Sequence, residues 1–309
     1  MKKYLNLIIV IVFISNTIFA SDAVYNGIPG AFADIGLSRP SALAGAYVAV
    51  CDDASGIFYN PAGLATSEYK DITFMYAKQK FLVPYNYGAF IWPFNKQRGV
   101  GFGMIVSGDQ VLLEQTYMLS YSENLNWLLG RIISGIYVGT NLKFHFANFG
   151  YNESDDPDKV GGSAWGIGMD YGLLWELPMN VKFGVMIKDG FSYLKWDTIH
   201  NPESVTEGVP LTSSFGFSYK VKNALVSIAL SDLDTLRLGG ELTLFDYIDL
   251  RAGILQELTV ESYREYSVGL GIGRFEFGAK KEYSMNLDAA FAFERLTNTL
   301  KIQTSFKFK

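Results

Sequence analysis

The chain has 309 residues, 49% of them hydrophobic and 15% aromatic, with 31 glycines and a net charge of −5. That length allows one large β domain or two ordinary ones. The charge is spread with no basic cluster, which argues against nucleic acid as a partner, and the single cysteine, Cys51, excludes an internal disulfide.

The first residues read as an export signal. Lys2 and Lys3 precede an almost unbroken apolar run from Leu5 to Ile14, followed by Ser15, Asn16 and Thr17. The run is about half the ~20 residues that a spanning helix needs. Residues 1–20 are therefore predicted to be a signal peptide, with cleavage as late as residue 23. No later run of about 18 apolar residues follows, so no transmembrane helix is predicted.

Residues 21–68 do not alternate. Ala44, Gly45 and Ala46 are small and permit close packing. Asp52, Asp53 or Ser55 is placed to cap a short helix around Ile57 to Tyr59. Asn60-Pro61 ends it in a turn, because the residue before proline avoids helical angles.

From residue 69 onward the chain is written in period two. Leu236, Leu238, Leu242 and Leu244 share one face, and Arg237, Gly239, Glu241 and Thr243 share the other. Trp165, Ile167, Met169, Tyr171, Leu173 and Trp175 likewise oppose Gly166, Gly168, Asp170, Gly172 and Glu176. A soluble sandwich and a membrane barrel both read this way. Segments of about 9–11 residues match a tilted strand crossing a bilayer. Tyr85, Tyr87, Trp92, Trp165 and Trp175 stand near segment ends, as interfacial girdles do. The polar face carries full charges, which suits a wet lumen. The expected fold is an all-β transmembrane antiparallel β-barrel spanning residues 69–309, with residues 21–68 as an N-terminal hatch in its lumen.

Short links at Phe94–Arg98, Leu177–Asn180, Lys220–Asn223 and Phe245–Tyr247 are assigned to the periplasmic side. The longest, Asn148–Ser163 and Asp189–Pro210, are assigned to the outside. The end of the chain offers three candidate strands, Phe275–Tyr283, Leu287–Phe293 and Leu300–Lys309, which would bring the total to fifteen. Bacterial single-chain barrels have even strand numbers. The first candidate is the weakest, because Lys281 would face lipid, and the expectation is about fourteen.

Several patterns carry chemistry only superficially. Gly99-Val-Gly-Phe-Gly103 and Gly269-Leu-Gly-Ile-Gly273 have period two and open no βαβ unit, so they are not dinucleotide loops. Such a stripe either relieves strand curvature or clears lumen space for an inserted plug. Asp155, Asp156 and Asp158 are interrupted by Pro157 and read as a solvated loop rather than a calcium site. His145 and His200 are far apart, so neither a metal site nor a triad is predicted, and no cofactor or enzymatic activity. Asp170, Lys182, Lys188, Arg237, Glu241, Asp249 and Arg251 are predicted to face the lumen and to pair across strands.

One stretch carries a family resemblance. Gly45-Ala-x-Val-Ala-x-x-Asp52-Asp53-Ala-Ser, followed by Asn60-Pro61-Ala62-Gly63-Leu64, resembles the signature of the FadL/PorV group of bacterial outer-membrane barrels. Leu236-Arg-Leu-Gly-Gly-Glu241 and Leu250-Arg-Ala-Gly-Ile254 are similar to paired strands of the PorV branch. Ser305-Phe-Lys-Phe-Lys309 resembles the aromatic C-terminal signal read by barrel-assembly machinery, though Lys309 departs from the usual aromatic end. The resemblance implies a fourteen-stranded barrel in the outer membrane of a diderm bacterium, in contact with outer-membrane lipid. In the FadL branch it implies capture of small hydrophobic compounds, such as long-chain fatty acids, by extracellular loops and passage past the hatch or through a gap in the wall. Asp52, Asp53, Asn60, Pro61, Ala62 and Gly63 would form the hatch motif. Phe191, Tyr193, Leu194 and Trp196, apolar residues in the long link from Asp189, would capture ligand or extend the girdle. In the PorV branch the resemblance implies a non-transporting surface barrel that partners exported proteins or acts structurally.

Overall fold

The computed structural model describes residues 32, 34–94, 97–130, 133–150, 161–198, 204–259, 263–277, 283–295 and 297–308. The signal segment, the acidic loop at 155–158, His200, Lys281 and Lys309 lie outside the described residues. Among the described residues no helix is long and apolar enough to cross a membrane.

The chain forms β1 (Lys70–Gln79), β2 (Val83–Phe94), β3 (Arg98–Gly108), β4 (Leu112–Asn124), β5 (Ile136–Phe149), β6 (Gly162–Leu177), β7 (Val181–Thr198), β8 (Val205–Glu207), β9 (Thr212–Val221), β10 (Ala224–Ser231), β11 (Thr235–Leu244), β12 (Ile248–Glu257), β13 (Arg264–Phe277), β14 (Tyr283–Phe293) and β15 (Thr299–Phe308). Each strand pairs antiparallel with the next. The exception is β8, three residues laid on the edge of β7, which itself pairs onward with β9. β15 returns to β1, in register from Lys70↔Phe308 to Lys78↔Leu300. The sheet is therefore a closed barrel of fourteen strands, and closure pairs both sides of each, apart from the upper part of β7 and its short partner β8.

Alternation along the strands explains the two faces. Leu238, Leu242, Leu250, Val268 and Leu270 point outward and are exposed in the isolated chain, as a lipid-facing surface is. Their neighbours Gly239, Arg251 and Gly269 point inward. The two segments similar to PorV-type strands are neighbours in the wall, with Leu238 opposite Ile254 and Leu242 opposite Leu250.

Two sequence expectations are corrected and one is sharpened. Tyr85 and Tyr87 are not girdle residues, since both point inward and are buried. Strand β2 is apolar on both faces because its inner face packs against the plug, so aromatic position alone gave no side. The count of fourteen holds, and the weakest candidate, Phe275–Tyr283, does not contribute a strand of its own. Its two ends belong to β13 and β14, and a register shift between Ile272 and Phe275 interrupts the alternation there. Finally, Phe191–Trp196 is strand, not loop. At Asp170, β7 carries two extra residues in a bulge, as the register steps from Tyr171↔Ile187 to Met169↔Phe191, and the strand then continues to Thr198.

The face assignment makes a direct prediction. Leu238→Arg should destabilise the barrel by about 2–4 kcal/mol in a bilayer if that side chain sits near the midplane, whereas Leu238→Phe should be close to neutral. Equilibrium unfolding in phospholipid vesicles measures both.

Candidate functional site: the plug and the cavity above it

Residues 34–67 fold inside the barrel as a chain of short turns and helices. The first helix, α1 (Ser38–Ala42), is followed by a reversal at Ala44 and Gly45, both at positive φ (52° and 77°). A side chain at Gly45 would lie 2.8 Å from Arg237 Nη1, the movable end of a flexible side chain, so it is the backbone angle that calls for glycine there. The second helix, α2 (Gly56–Tyr59), runs into a 3-10 helix at Pro61–Thr66.

Asn60 joins these pieces. Its Nδ2 donates to Val48 O (2.8 Å) in the plug and to Leu173 O (2.9 Å) in β6, and its Oδ1 accepts from Ala62 N (3.1 Å) to cap the 3-10 helix. Pro61 fixes the first 3-10 residue, whose missing N–H costs nothing at that position. Pro61 and Ala62 lie against Gly139 and Gly172, and Gly63 lies against Cys51 with no room for a side chain. The sequence expectation for the α2 cap is corrected: no side chain caps this helix. Asp53 Oδ1 instead accepts from Ser55 N (2.9 Å), and the other oxygens of Asp52 and Asp53 are drawn away by Arg39.

The plug meets two kinds of wall. Leu37, Ile57, Phe58 and Leu64 pack with Met75, Tyr87, Ile91 and Ile105 of β1–β3 and Met118 of β4 into an apolar core. The Gly99–Gly103 stripe makes this fit possible. A side chain at Gly101 would stand 2.9 Å from Leu64 Cδ2, and one at Gly103 2.8 Å from Ile57 Cγ2. Of the two readings of the stripe, cleared space for the plug is the one this contact supports.

The opposite wall is ionic. Arg39 of α1 binds Asp52 (2.6 Å) and Asp53 (2.8 Å) within the plug and grips Glu241 of β11 with two parallel bonds of 2.8 and 2.9 Å. Arg251 of β12 continues the chain to Glu241 (2.6 Å), Asp249 (3.1 Å) and Asp288 (2.6 Å). Burial alone would weaken the Arg39 guanidinium, but Asp52 and Glu241 beside it hold its pKa well above the ordinary value. Burial pushes the Asp52 carboxyl up, and Arg39 more than reverses this, so the group stays well below the usual range. Asp34, also pushed up by burial, is brought below its usual value by Lys188 and by hydrogen bonds from Tyr87 and Gly36. Burial raises the Cys51 thiol well above its ordinary pKa, which leaves it inert where it stands.

Above the plug lies a cavity of about 310 Å³, within the range of small-ligand sites. Its floor is made by plug residues including Ala44, Val48 and Tyr59, and its wall by Met186, Lys188 and Arg237 among others. Arg237 donates to Ala44 O (2.9 Å) and to Ser231 Oγ (3.2 Å), and Lys301 donates to Ser41 Oγ (2.6 Å) and to the carbonyls of Ile35 and Gly36. Among the described residues neither cation has a carboxylate within salt-bridge distance.

No family model and no curated protein matches the sequence. Solved structures match it by shape. A Pseudomonas aeruginosa FadL homologue superposes with a TM-score of 0.61 at 11% identity, over 90% of this chain and 99% of the other. The P. putida toluene transporter TodX gives 0.61 at 11%, over 89% and 98%, and the CymD monoaromatic hydrocarbon channel 0.60 at 13%, over 90% and 98%. The fold is that of the FadL-type barrels.

In this barrel the seven predicted lumen charges all point inward. Asp170 bonds Lys143 (2.7 Å), Lys182 bonds Glu176 (3.3 Å) and Lys188 bonds Asp34 (2.9 Å), while Glu241, Asp249 and Arg251 form the network above. The proposed capture residues are not brought together. Phe191 and Tyr193 are on the outer face, with Tyr193 against Trp165, while Leu194 is buried inward beside Ala147 and Ala164 and Trp196 packs there. Sequence reasoning missed Arg39, Asp34, Lys143, Asp288 and Lys301. Lys143 bridges Asp170 and Asp189 (2.5 Å) and so fastens the β7 bulge. Its alternation with Leu142 and Phe144 was readable. Arg39 and Asp34 sit in a stretch without period and gave no signal.

Two predictions test the plug. Arg39→Ala leaves Asp53 buried without its cation and Glu241 held by Arg251 alone, and should weaken plug docking by about 3–5 kcal/mol. Maleimide labelling of Cys51 measures this, since the thiol is shielded while the plug is seated. Because Asp34 and Asp52 have depressed pKa values, their stabilisation is complete above about pH 4 and is lost as pH falls through their folded values. Protection of residues 34–67 from hydrogen exchange, taken relative to the intrinsic rate at each pH, should therefore hold from about pH 7 to 5 and fall only below about pH 4.

Proposed function

We propose that this protein is an outer-membrane channel for the uptake of small hydrophobic compounds, with long-chain fatty acids as the favoured class, rather than an enzyme. Residues 1–20 direct export, residues 21–68 act as the hatch, and residues 69–309 form the barrel, inserted by the barrel-assembly machinery through its aromatic C-terminal strand. The observation that carries the reading is the cavity above the plug, in a barrel whose fold is shared with channels named for toluene and monoaromatic hydrocarbons.

The lining refines the substrate class. A plain hydrocarbon would leave Arg237 and Lys301 hydrogen-bonded only to neutral groups, with the lining carboxylates Asp34, Asp232, Glu265 and Glu294 beyond salt-bridge distance of them. A carboxylate head would give them charge-assisted bonds while its chain lay on Tyr59, Met186 and Leu255. Asp52, Asp53 and Asn60 to Gly63 hold the hatch in shape beneath it.

A labelled fatty acid titrated into purified barrel tests this. Saturable binding is expected, weakened about tenfold or more by Arg237→Gln, in keeping with ~1.5–3 kcal/mol for a bond to a charged group. Absence of binding by the parent protein, together with co-purification of an exported protein, would replace this reading with a PorV-type secretion role.

A further inference from the structure

A second cavity, of about 510 Å³, lies beneath the plug, at the end of the barrel that carries the short links. In barrels of this kind that end faces the periplasm. The β6–β7 turn at Pro178–Asn180 and the β9–β10 turn between Val221 and Ala224 border it. Its depth follows from the register. Gly184 of β7 lies against the Val48 carbonyl of the plug, and Ser218 of β9 donates to Ala49 O (2.8 Å). Lys182 and Lys220 are the next inward positions towards the turns, two residues or about 7 Å further along their strands. They stand one step below the plug.

The cavity is cationic. Lys182, Lys220 and Lys222 line it against a single carboxylate, Glu176. Glu176 is already engaged, by Lys182 (3.3 Å) and by the Tyr137 hydroxyl (3.3 Å). Among the described residues neither Lys220 nor Lys222 has a carboxylate within salt-bridge distance. Lys182 pairs with Ser218, which makes Lys220 its diagonal neighbour on the same face, at ~7–8 Å between backbones. Like charges so placed repel one another. Lys222 adds a third from a two-residue turn, at φ 50°, where asparagine or glycine is the usual choice. Leu177 and Val181, paired across β6 and β7 on the outward face, give the cavity an apolar side.

We propose that this cavity binds the anionic head of an amphiphile, a carboxylate or a phosphate, between Lys220 and Lys222, with the first carbons of its chain on Leu177 and Val181. An oxyanion offers two or three acceptor oxygens, so one group standing between the ammonium groups makes charge-assisted bonds to both and cancels their repulsion. The site shares no residue with the cavity above the plug, whose cations are Arg237 and Lys301. Two sources supply such a head. One is a phospholipid of the periplasmic leaflet, whose headgroups border the turns of the wall. The other is a fatty acid released below the plug, and only this second source rests on the uptake reading above.

Native mass spectrometry of the purified barrel in an uncharged detergent tests the site. Dioleoyl phosphatidylglycerol should bind as a single retained adduct, about tenfold more tightly than zwitterionic dioleoyl phosphatidylcholine, as a bond to a charged group allows. Lys220→Gln together with Lys222→Gln should abolish the preference, and the corresponding Lys→Arg pair should keep it. Both lysines are exposed, so the unfolding midpoint should match that of the parent. Oleate titrated into Arg237→Gln, which weakens the upper site, identifies the source. Residual oleate binding that falls about tenfold when the two Gln substitutions are added supports the site with a fatty acid as its occupant. A phosphatidylglycerol preference lost with the Gln pair, while oleate binding is indifferent to it, supports the site with phospholipid as its occupant. Equal binding of the two phospholipids, or a preference that survives the Gln pair, overturns the proposal when oleate binding is also indifferent to that pair. Absence of oleate binding by the parent protein removes the uptake reading, and the phospholipid comparison still decides this site.

Discussion

A single buried guanidinium holds the interior of this protein together. Arg39 projects from a helix of only five residues, too short to be stable alone. It nevertheless joins the plug's own Asp52 and Asp53 to Glu241 in the wall. The planar fork suits this task in a way that a lysine would not, because two parallel bonds to Glu241 fix orientation as well as distance. The network is not a source of large net stability, since removing charges from water costs about as much as pairing them returns. Its effect is to specify one seat for a segment that has no sheet and no long helix of its own.

The interior is divided by chemistry. On one side the plug is an apolar wedge against β1–β4, seated by glycines that leave room for Ile57 and Leu64. On the other it is an ionic tenon against β11, β12 and β14. The wedge supplies burial and the tenon supplies register. Between them Asn60 bonds both plug and wall from a fully buried position, so a segment of irregular backbone satisfies its polar groups without water.

How much of this could be read from sequence follows from where a solvent imposes a rule. Lipid demands apolar side chains at every second residue, so Leu238, Val268 and Leu270 were legible, and the inward charges Arg237, Glu241 and Arg251 followed by parity. The rule fails where the inner neighbour is protein. Strand β2 is apolar on both sides, and Tyr85 and Tyr87 were assigned to the wrong one. It fails also at bulges: Lys188-Asp-Gly190 reads as a turn, but two inserted residues preserve the facing and the strand continues. Within the plug no period exists, and partners more than two hundred residues apart, such as Arg39 and Glu241, leave no local trace. The Asn60-Pro61 turn was legible because its geometry is set by adjacent residues.

The seam between β1 and β15 bears on how the molecule is made. The plug precedes β1 in the chain and touches strands from both ends of it, from Asp71 and Tyr87 to Lys301 and Gln303. Glycine-tight contacts surround it, and the pairing of β1 with β15 completes the ring. A segment held this closely cannot be threaded through a finished cylinder. The wall must close around the plug, which makes residues 34–67 a mould for the strand pair that completes the ring.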